Sequence, residues 1–564
     1  MTTPDELARL REVEREILAR RPEHAIDPTL DRISALVTLL GDPHRAYPVI
    51  HITGTNGKTS TARMTERLLR ERGLRTGLFT SPHLSSIRER IRVDGEPVSA
   101  QTFIEAYEEI QFYLDMVDAQ QPARLSFFEV LTGMAFAIFA DAPVDVAIIE
   151  VGMGGTWDST NVADGAVAVI TPISLDHTRY LGDTVEQIAA DKAGIIKPGA
   201  IAVIAQQPPA AAEVLLRRAA DVGATVAREG LEFGVLSREL AVGGQQIVLR
   251  GLLGDYDGLF LPLFGAHQAG NLATAVAAVE AFARADPVGA PASADAEHNG
   301  HEPDDGQASR RGLAMPGRPS PGFDGPASDD PGYDGTGPDG TGRPGAGLQE
   351  AGQRGGGMDG AALDRIGLDR LQAARLDGDT QAGPLDIALV REAVATMSSP
   401  GRLEVVRRSP VVVVDAAHNP AGMAASVAAL EEAFDFSELI AIVAVSEDKD
   451  VPGILDQLEP VASRLVATTN SSGRAMEADD LADAAEAIFG EDRITVAERL
   501  DDAIEIGVAL ADEADSGGDG GLGGLGGAVV LITGSVITAG EARLLLTRAR
   551  SGRRDGDPAG GDLP

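Results

Sequence analysis

The chain carries 564 residues, long for one domain, and a formal charge of −38 that argues against nucleic acid as a partner, because phosphates would be repelled. The absence of cysteine excludes disulfides, thiolate metal sites and a cysteine nucleophile, so any metal must be held by oxygen or imidazole. Four lysines stand against 44 arginines, and a carboxylate-dense surface nearly without lysine reads as adaptation to high salt, where screening relieves self-repulsion.

No apolar run reaches the ~18 residues of a membrane span, and Met1-Thr-Thr-Pro-Asp-Glu-Leu7 is acidic and polar, so neither a span nor a signal peptide is expected. The expected location is cytoplasmic. Residues 4 to 40 read as helical, with Leu7, Leu10, Val13 and Ile17 on one face, then a turn, then Leu30 to Leu40. From 47 to about 205, apolar strands at Val49–Thr53, Thr76–Thr80, Val144–Val151, Val167–Thr171 and Ala200–Ala205 alternate with helical stretches such as Thr59–Arg72 and Thr102–Val117. That alternation predicts an α/β domain with a mostly parallel sheet covered on both faces and its ligand at the carboxyl ends of the strands.

The first strand breaks at Gly54 and opens a helix at Lys58: Ile52-Thr-Gly-Thr-Asn-Gly-Lys-Thr-Ser60. A strand, a glycine turn and a helix N-terminus present N–H groups to a phosphate, with Lys58 as a point charge and Thr59 or Ser60 as a hydroxyl near Mg²⁺. The pattern departs from the general phosphate loop, since the first glycine position is Ile52. Glu150 ends the run Val146-Ala-Ile-Ile-Glu150 at the height of this loop, the placement of an acidic Mg²⁺ ligand, and Asp176-His177 also follows a strand.

Further strand-like segments fall at Gln246–Leu253 and Leu259–Leu263, and Gly265-Ala-His-Gln-Ala-Gly-Asn271 opens an alanine-rich helix ending near Arg284. Residues 286–385 are rich in Gly, Pro, Asp and Ser and read as a disordered acidic insertion, with one short helix considered at 360–376. A second α/β domain is expected over 386–550, smaller and Rossmann-like, with strands at Val411–Asp415, Leu439–Val445, Arg464–Thr468 and Ala528–Thr533, and a frayed tail at 551–564. The first domain is expected over 1–285.

Several segments occur in the order expected of one family: Thr80-Ser-Pro-His-Leu84, Ser126-Phe-Phe-Glu129, Glu150-Val-Gly-Met-Gly-Gly-Thr-Trp-Asp-Ser-Thr-Asn161, Ser174-Leu-Asp-His177, Asp191-Lys-Ala-Gly-Ile-Ile196, Gly265-Ala-His-Gln268, Pro400-Gly-Arg-Leu-Glu404, Asp415-Ala-Ala-His-Asn-Pro420, Asp448-Lys-Asp450 and Thr533-Gly-Ser535. With the Thr53-Gly-Thr-Asn-Gly-Lys-Thr59 loop, the chain resembles the folylpolyglutamate synthase/dihydrofolate synthase family of the Mur ligase superfamily. The resemblance implies Mg²⁺ ligation by Ser81, Glu150 and His177, and a Lys192 carboxylated by CO₂ that supplies the metal with an anionic oxygen. It implies ATP contacts from Gly54, Thr55, Asn56, Gly57, Lys58, Thr59 and Ser60, and from Asn271, Arg402 and Asp415 across a cleft. Pteridine contacts would come from Phe127, Phe128, Glu129, Trp157 and Asp158, and His418 and Ser535 would stand near the incoming glutamate. The family usually has arginine where this chain has Thr156.

The expected function is therefore ATP-dependent addition of L-glutamate to a pteridine acid through an acyl phosphate, with Lys58, Lys192, His177 and His418 as catalytic candidates and K⁺ as a further candidate cation. A monomer acting on small molecules is expected, with no nucleic-acid or membrane partner. Two rivals stand beside this reading: a Mur-type ligase of UDP-muramyl substrates, and a non-catalytic phosphate-loop binding module.

Overall fold

The computed structural model describes residues 3–22, 27–285, 384–517 and 527–554. The insertion expected at 286–385 lies almost entirely outside the described residues, as does the short helix considered at 360–376. The chain begins with the helix Pro4–Leu18, which Thr3 and Glu6 start with reciprocal side-chain-to-backbone bonds and which buries Leu10, Val13 and Ile17. A second helix, Asp31–Leu39, buries Ile33, Leu36 and Val37 in the same core.

The strands of the first lobe are β1 (Val49–Thr53), β2 (Thr76–Phe79), β3 (Ile91–Val93), β4 (Glu96–Pro97), β5 (Val146–Glu150), β6 (Gly165–Ile170), β7 (Ile201–Ile204) and β8 (Thr225–Arg228). They form one sheet in the order β4-β3-β2-β5-β1-β6-β7-β8. From β2 to β8 every pairing is parallel, and β3 and β4 add an antiparallel edge. Every residue of β1, β5 and β6 is buried, as strands covered by helices on both faces must be. The order is the useful part: β1 lies between β5 and β6, so the turns after the three strands share one edge of the sheet.

A three-stranded antiparallel sheet follows, β9 (Gly234–Ala241), β10 (Gly244–Arg250) and β11 (Asp255–Leu261). Of these, β9 was not anticipated. Its residues are mostly exposed on an edge, so no apolar alternation marks it. The long helix Ala266–Phe282 packs under this sheet and against the helix Lys58–Glu71.

The second lobe carries β12 (Glu404–Arg408), β13 (Val411–Val414), β14 (Glu438–Val443), β15 (Arg464–Ala467), β16 (Ile494–Val496) and β17 (Ala528–Thr533). Its sheet runs β12-β13-β17-β14-β15-β16, parallel apart from β12. The α/β class and the two-lobe plan agree with expectation. The helix Ile387–Ala395, assigned above to the second domain, packs instead on the first. Its Val390, Ala393 and Val394 share a core with Leu259, Leu261 and Leu68, because its apolar face meets β11 and the helix Lys58–Glu71. The final helix, Val536–Arg554, runs past the boundary expected at 550.

Candidate active site

At the end of β1 the chain must turn beneath a neighbouring loop. A Cβ at Gly54 would sit 1.9 Å from the Thr171 hydroxyl, and one at Gly57, at φ +87°, would sit 2.4 Å from Asn271 Oδ1, so both turns need glycine. The helix Lys58–Glu71 then starts with its N-terminal amides facing the cleft side of the turn. Lys58 Nζ folds back onto the loop, donating to the carbonyls of Gly54 (3.0 Å) and Thr55 (3.1 Å). From behind, Lys192 Nζ donates to the same Gly54 carbonyl at 2.8 Å. Burial lowers the pKa of both amines, and with Lys58 as a cationic neighbour Lys192 falls to about 7. Asp191 is not its ion-pair partner; Asp191 Oδ1 is buried without a hydrogen bond.

One strand over, Glu150 ends β5 at 1% exposure. The Thr59 hydroxyl donates to its two oxygens at 2.9 and 3.0 Å, and the Ser81 amide reaches Oε2 at 3.4 Å. Ser60 is committed elsewhere, to the Ser399 hydroxyl at 3.0 Å, so Thr59 is the loop hydroxyl placed for a cation. Burial raises the Glu150 pKa, with Lys58 opposing, yet no basic side chain forms an ion pair with Glu150 among the described residues. His177, in the left-handed region at φ +52°, follows β6. Burial lowers its imidazole to about 3 even though Asp176 pulls the other way, so it is neutral and able to ligate.

These donors fit Mg²⁺. A buried carboxylate without a counter-charge, a hydroxyl and a neutral imidazole make an incomplete set, as expected for an ion that keeps several waters and takes nucleotide oxygens. Consistent with that, no group of three or more His, Asp or Glu side chains forms a self-sufficient metal cage among the described residues.

From the second lobe, Asp415 directly follows β13 and is fully engaged. It accepts from the amides of Leu403 (2.9 Å) and Ala417 (2.9 Å) and from the Ser426 hydroxyl (2.7 Å). It thereby fixes the turn that carries Arg402, whose flanking residues Gly401 (φ +70°) and Leu403 (φ +45°) are both left-handed. His418 Nδ1 donates to the Ala416 carbonyl at 2.9 Å, which leaves Nε2 as the free lone pair. Burial lowers this imidazole to about 4, with the Lys449 ammonium adding to the effect. Ser535, at the end of β17, accepts from Asn470 Nδ2 (3.2 Å) and the Thr538 amide (3.0 Å).

Together these groups line one cleft of about 1000 Å³, with the phosphate loop, Ser81, Glu150, His177 and Asn271 on one wall and Arg402, Asp415, His418 and Ser535 on the other. A further stretch of wall carries Phe128, Glu129, Trp157 and Asp158. Phe127 does not belong there. It lies in the first-lobe core at 5% exposure with the Arg90 guanidinium 5.0 Å from its ring centre, because adjacent residues of the helix Phe127–Asp141 face different sides. Gly54 and Lys192 do not line the cleft either; they stand behind the turn.

Sequence reasoning missed the support of Glu129: Arg32 Nε reaches its two oxygens at 3.0 and 3.2 Å, while Arg32 Nη1 holds Asp27 at 2.6 Å. It also gave Asn419 no place in the site and Lys449 no partner, although both lie in quoted segments. Lys197 donates to the carbonyls of Asn161 (2.7 Å) and Ala163 (2.6 Å) and pins that loop. Thr156 donates to the Asp191 carbonyl at 2.8 Å.

A phosphate loop on a parallel sheet, facing a smaller α/β lobe across a polar cleft, defines the Mur class of amide ligase. The model of the Mur ligase middle domain matches residues 52–279, and that of the Mur ligase glutamate ligase domain matches residues 401–536. The dihydrofolate synthase/folylpolyglutamate synthase of Mycobacterium tuberculosis is 43% identical over 559 residues, covering 97% of this chain and 96% of that protein. The structure of the M. tuberculosis folylpolyglutamate synthase complexed with ADP superposes with a TM-score of 0.75 at 41% identity, covering 96% of this chain and 99% of that one. A folylpolyglutamate synthase from Thermotoga maritima gives 0.65 at 26% identity, covering 96% and 97%. The chain belongs to the dihydrofolate synthase/folylpolyglutamate synthase family.

Proposed function

We propose that the chain joins L-glutamate to a pteridine acid at the expense of ATP. The observation that carries this reading is the meeting, in one cleft, of a phosphate loop, an unneutralised buried carboxylate and a second lobe bearing His418 and Lys449. The aromatic faces of Phe128 and Trp157 on the same wall suit a flat heterocycle, and Glu129 can accept from its ring N–H groups.

An amide cannot form from a free carboxylate in water without activation. Phosphoryl transfer from ATP to the acceptor carboxylate gives an acyl phosphate and ADP; the glutamate amine then attacks the carbonyl, the C–N bond forms, and phosphate leaves. Lys58 turns from the loop carbonyls to the phosphates, and Arg402 balances their charge from the other lobe. Neutral His418, with its free Nε2, accepts the amine proton. Glu150, Thr59, Ser81 and His177 would hold Mg²⁺, which supplies charge neutralisation on the transferred phosphoryl. Lys192 is partly unprotonated near neutral pH, so its amine can add CO₂, giving a carbamate and a released proton behind the phosphate-loop turn. The remaining work is positioning and exclusion of water.

The test is glutamate-dependent ADP formation with dihydropteroate, tetrahydrofolate and UDP-muramyl acceptors side by side, at low and at molar KCl. Turnover with a pteridine supports the proposal. Turnover confined to the muramyl acceptors, or none with a folded, Mg²⁺-loaded chain, overturns it.

A further inference from the structure

Asp176 is the point where the two lobes meet next to the phosphate loop. It follows β6 in the first lobe, where the His177 amide donates to Oδ1 at 2.8 Å, and its side-chain partners come from the second: Lys449 Nζ donates to Oδ1 at 2.6 Å and Asn419 Nδ2 to Oδ2 at 3.0 Å. His418 Nε2 stands 3.7 Å from Oδ2. Asn419 also exchanges a pair of amide hydrogen bonds with Asn56 of the phosphate loop, each 3.1 Å. Its Oδ1 caps the helix Pro420–Ala433 through the Gly422 amide at 2.8 Å. The side chains of Asp176 and Lys449 keep only 8% and 10% of their exposure.

We propose that Asp176 is a positioning residue, a latch that draws Lys449 and Asn419 onto the phosphate loop, brings the neighbouring His418 with them, and so sets where the incoming amino acid is held. The proposal rests on the ligase reading for its kinetic consequence but not for its geometry. A near-buried ion pair gains in attraction about what it loses in hydration, so this one selects a lobe arrangement rather than adding much stability. Opening returns both charges to water at little net cost, which lets reactants enter between turnovers. Asn56 belongs to the phosphate loop and Asn419 to the cap of a second-lobe helix, so closure places the amine side and the phosphate side in one step.

The test uses the full chain, whose lack of cysteine allows two labels to be placed cleanly. Ala220→Cys and Glu486→Cys, both exposed on helices of opposite lobes, carry spin labels, and their separation is measured without ligands. The expected parent result is one narrow distance distribution. Asp176→Ala and Lys449→Met each lengthen and broaden it, and the double variant goes no further than either alone. Asp176→Asn serves in place of the alanine variant if that one does not fold. In steady state the same variants raise KM for glutamate by ~10-fold or more while KM for ATP changes by less than ~2-fold. Parent-like distances in either single variant, additive effects in the double, or a matching rise in KM for ATP overturns the latch. Distances need no turnover, so a chain that latches but never forms amide sinks the ligase reading and spares this one.

Discussion

Lys58 and Lys192 converge on one carbonyl, Gly54, and neither has a carboxylate bonded to it. Lys58, at the cleft, holds its charge against desolvation that a bound polyanion would offset, while Lys192, behind the turn, is partly unprotonated. Lys58→Ala should therefore lose measurable ADP formation while its thermal unfolding midpoint stays level or rises, because a buried cation has gone. Arg32 is the opposite case. It is buried and is the nearer of two cations on Glu129, with Arg21 at 3.8 Å and the Ser126 amide remaining, so Arg32→Ala should cost about 1–3 kcal/mol in urea unfolding.

His51 gives the pH dependence. Its ring sits fully buried in β1, with Nε2 donating to Thr160 Oγ1 (2.9 Å), whose hydroxyl passes to Asp158 (2.5 Å), while the Nδ1 lone pair has no partner and a proton placed there would have none either. Burial lowers it from 6.5 to about 3. Between those values the unfolded chain binds a proton that the folded chain does not, so stability falls as pH drops below about 6.5, by about 1.4 kcal/mol per unit for such a group. His51→Gln should show a shallower acid arm in denaturation at pH 4 to 6. Lys58, Glu150 and His177 were legible in the sequence because Glu150 closes an apolar strand and the other two lie in the loop segments that follow one. Asp176 was marked in the same way, beside His177, but its partner was not, and Arg32 was not marked at all, since the partners lie 273 and 97 residues away and only the fold brings them together.

Among elements, the turn Pro400-Gly-Arg-Leu403 shows how a loop aims a side chain. Leu403 pays for a left-handed backbone, held there by Asp415, and the reward is a fixed Arg402. Leu403→Gly relieves that strain but empties a buried position of the second-lobe core, so stability should fall by about 2–5 kcal/mol. KM for ATP should also rise several-fold as Arg402 gains freedom; an unchanged KM would mean the turn does not aim it. Strand existence was readable from buried apolar runs, but strand order was not. That β1 runs between β5 and β6 follows from crossover packing, which no local pattern encodes. The helix Ile387–Ala395 was assigned to the wrong lobe for the same reason: its apolar face is evident in the sequence, and its partner is not.

At the scale of the whole molecule, a charge of −38 works against the compact state at low ionic strength. The Debye length falls from about 10 Å at 0.1 M to about 3 Å at 1 M salt, so the thermal midpoint should climb steadily over that range of KCl. A midpoint flat or falling with KCl would remove the case for salt adaptation. The cleft itself has the other sign on part of its wall, with Lys58, Arg90 and Arg402 facing inward. Nucleotide, pteridine acid and amino acid are all anions, so each is turned away at long range and welcomed at short range. Diffusional capture by this chain should therefore quicken when electrolyte is added, the reverse of what an electrostatically steered enzyme does, until the inward-facing cations are themselves masked.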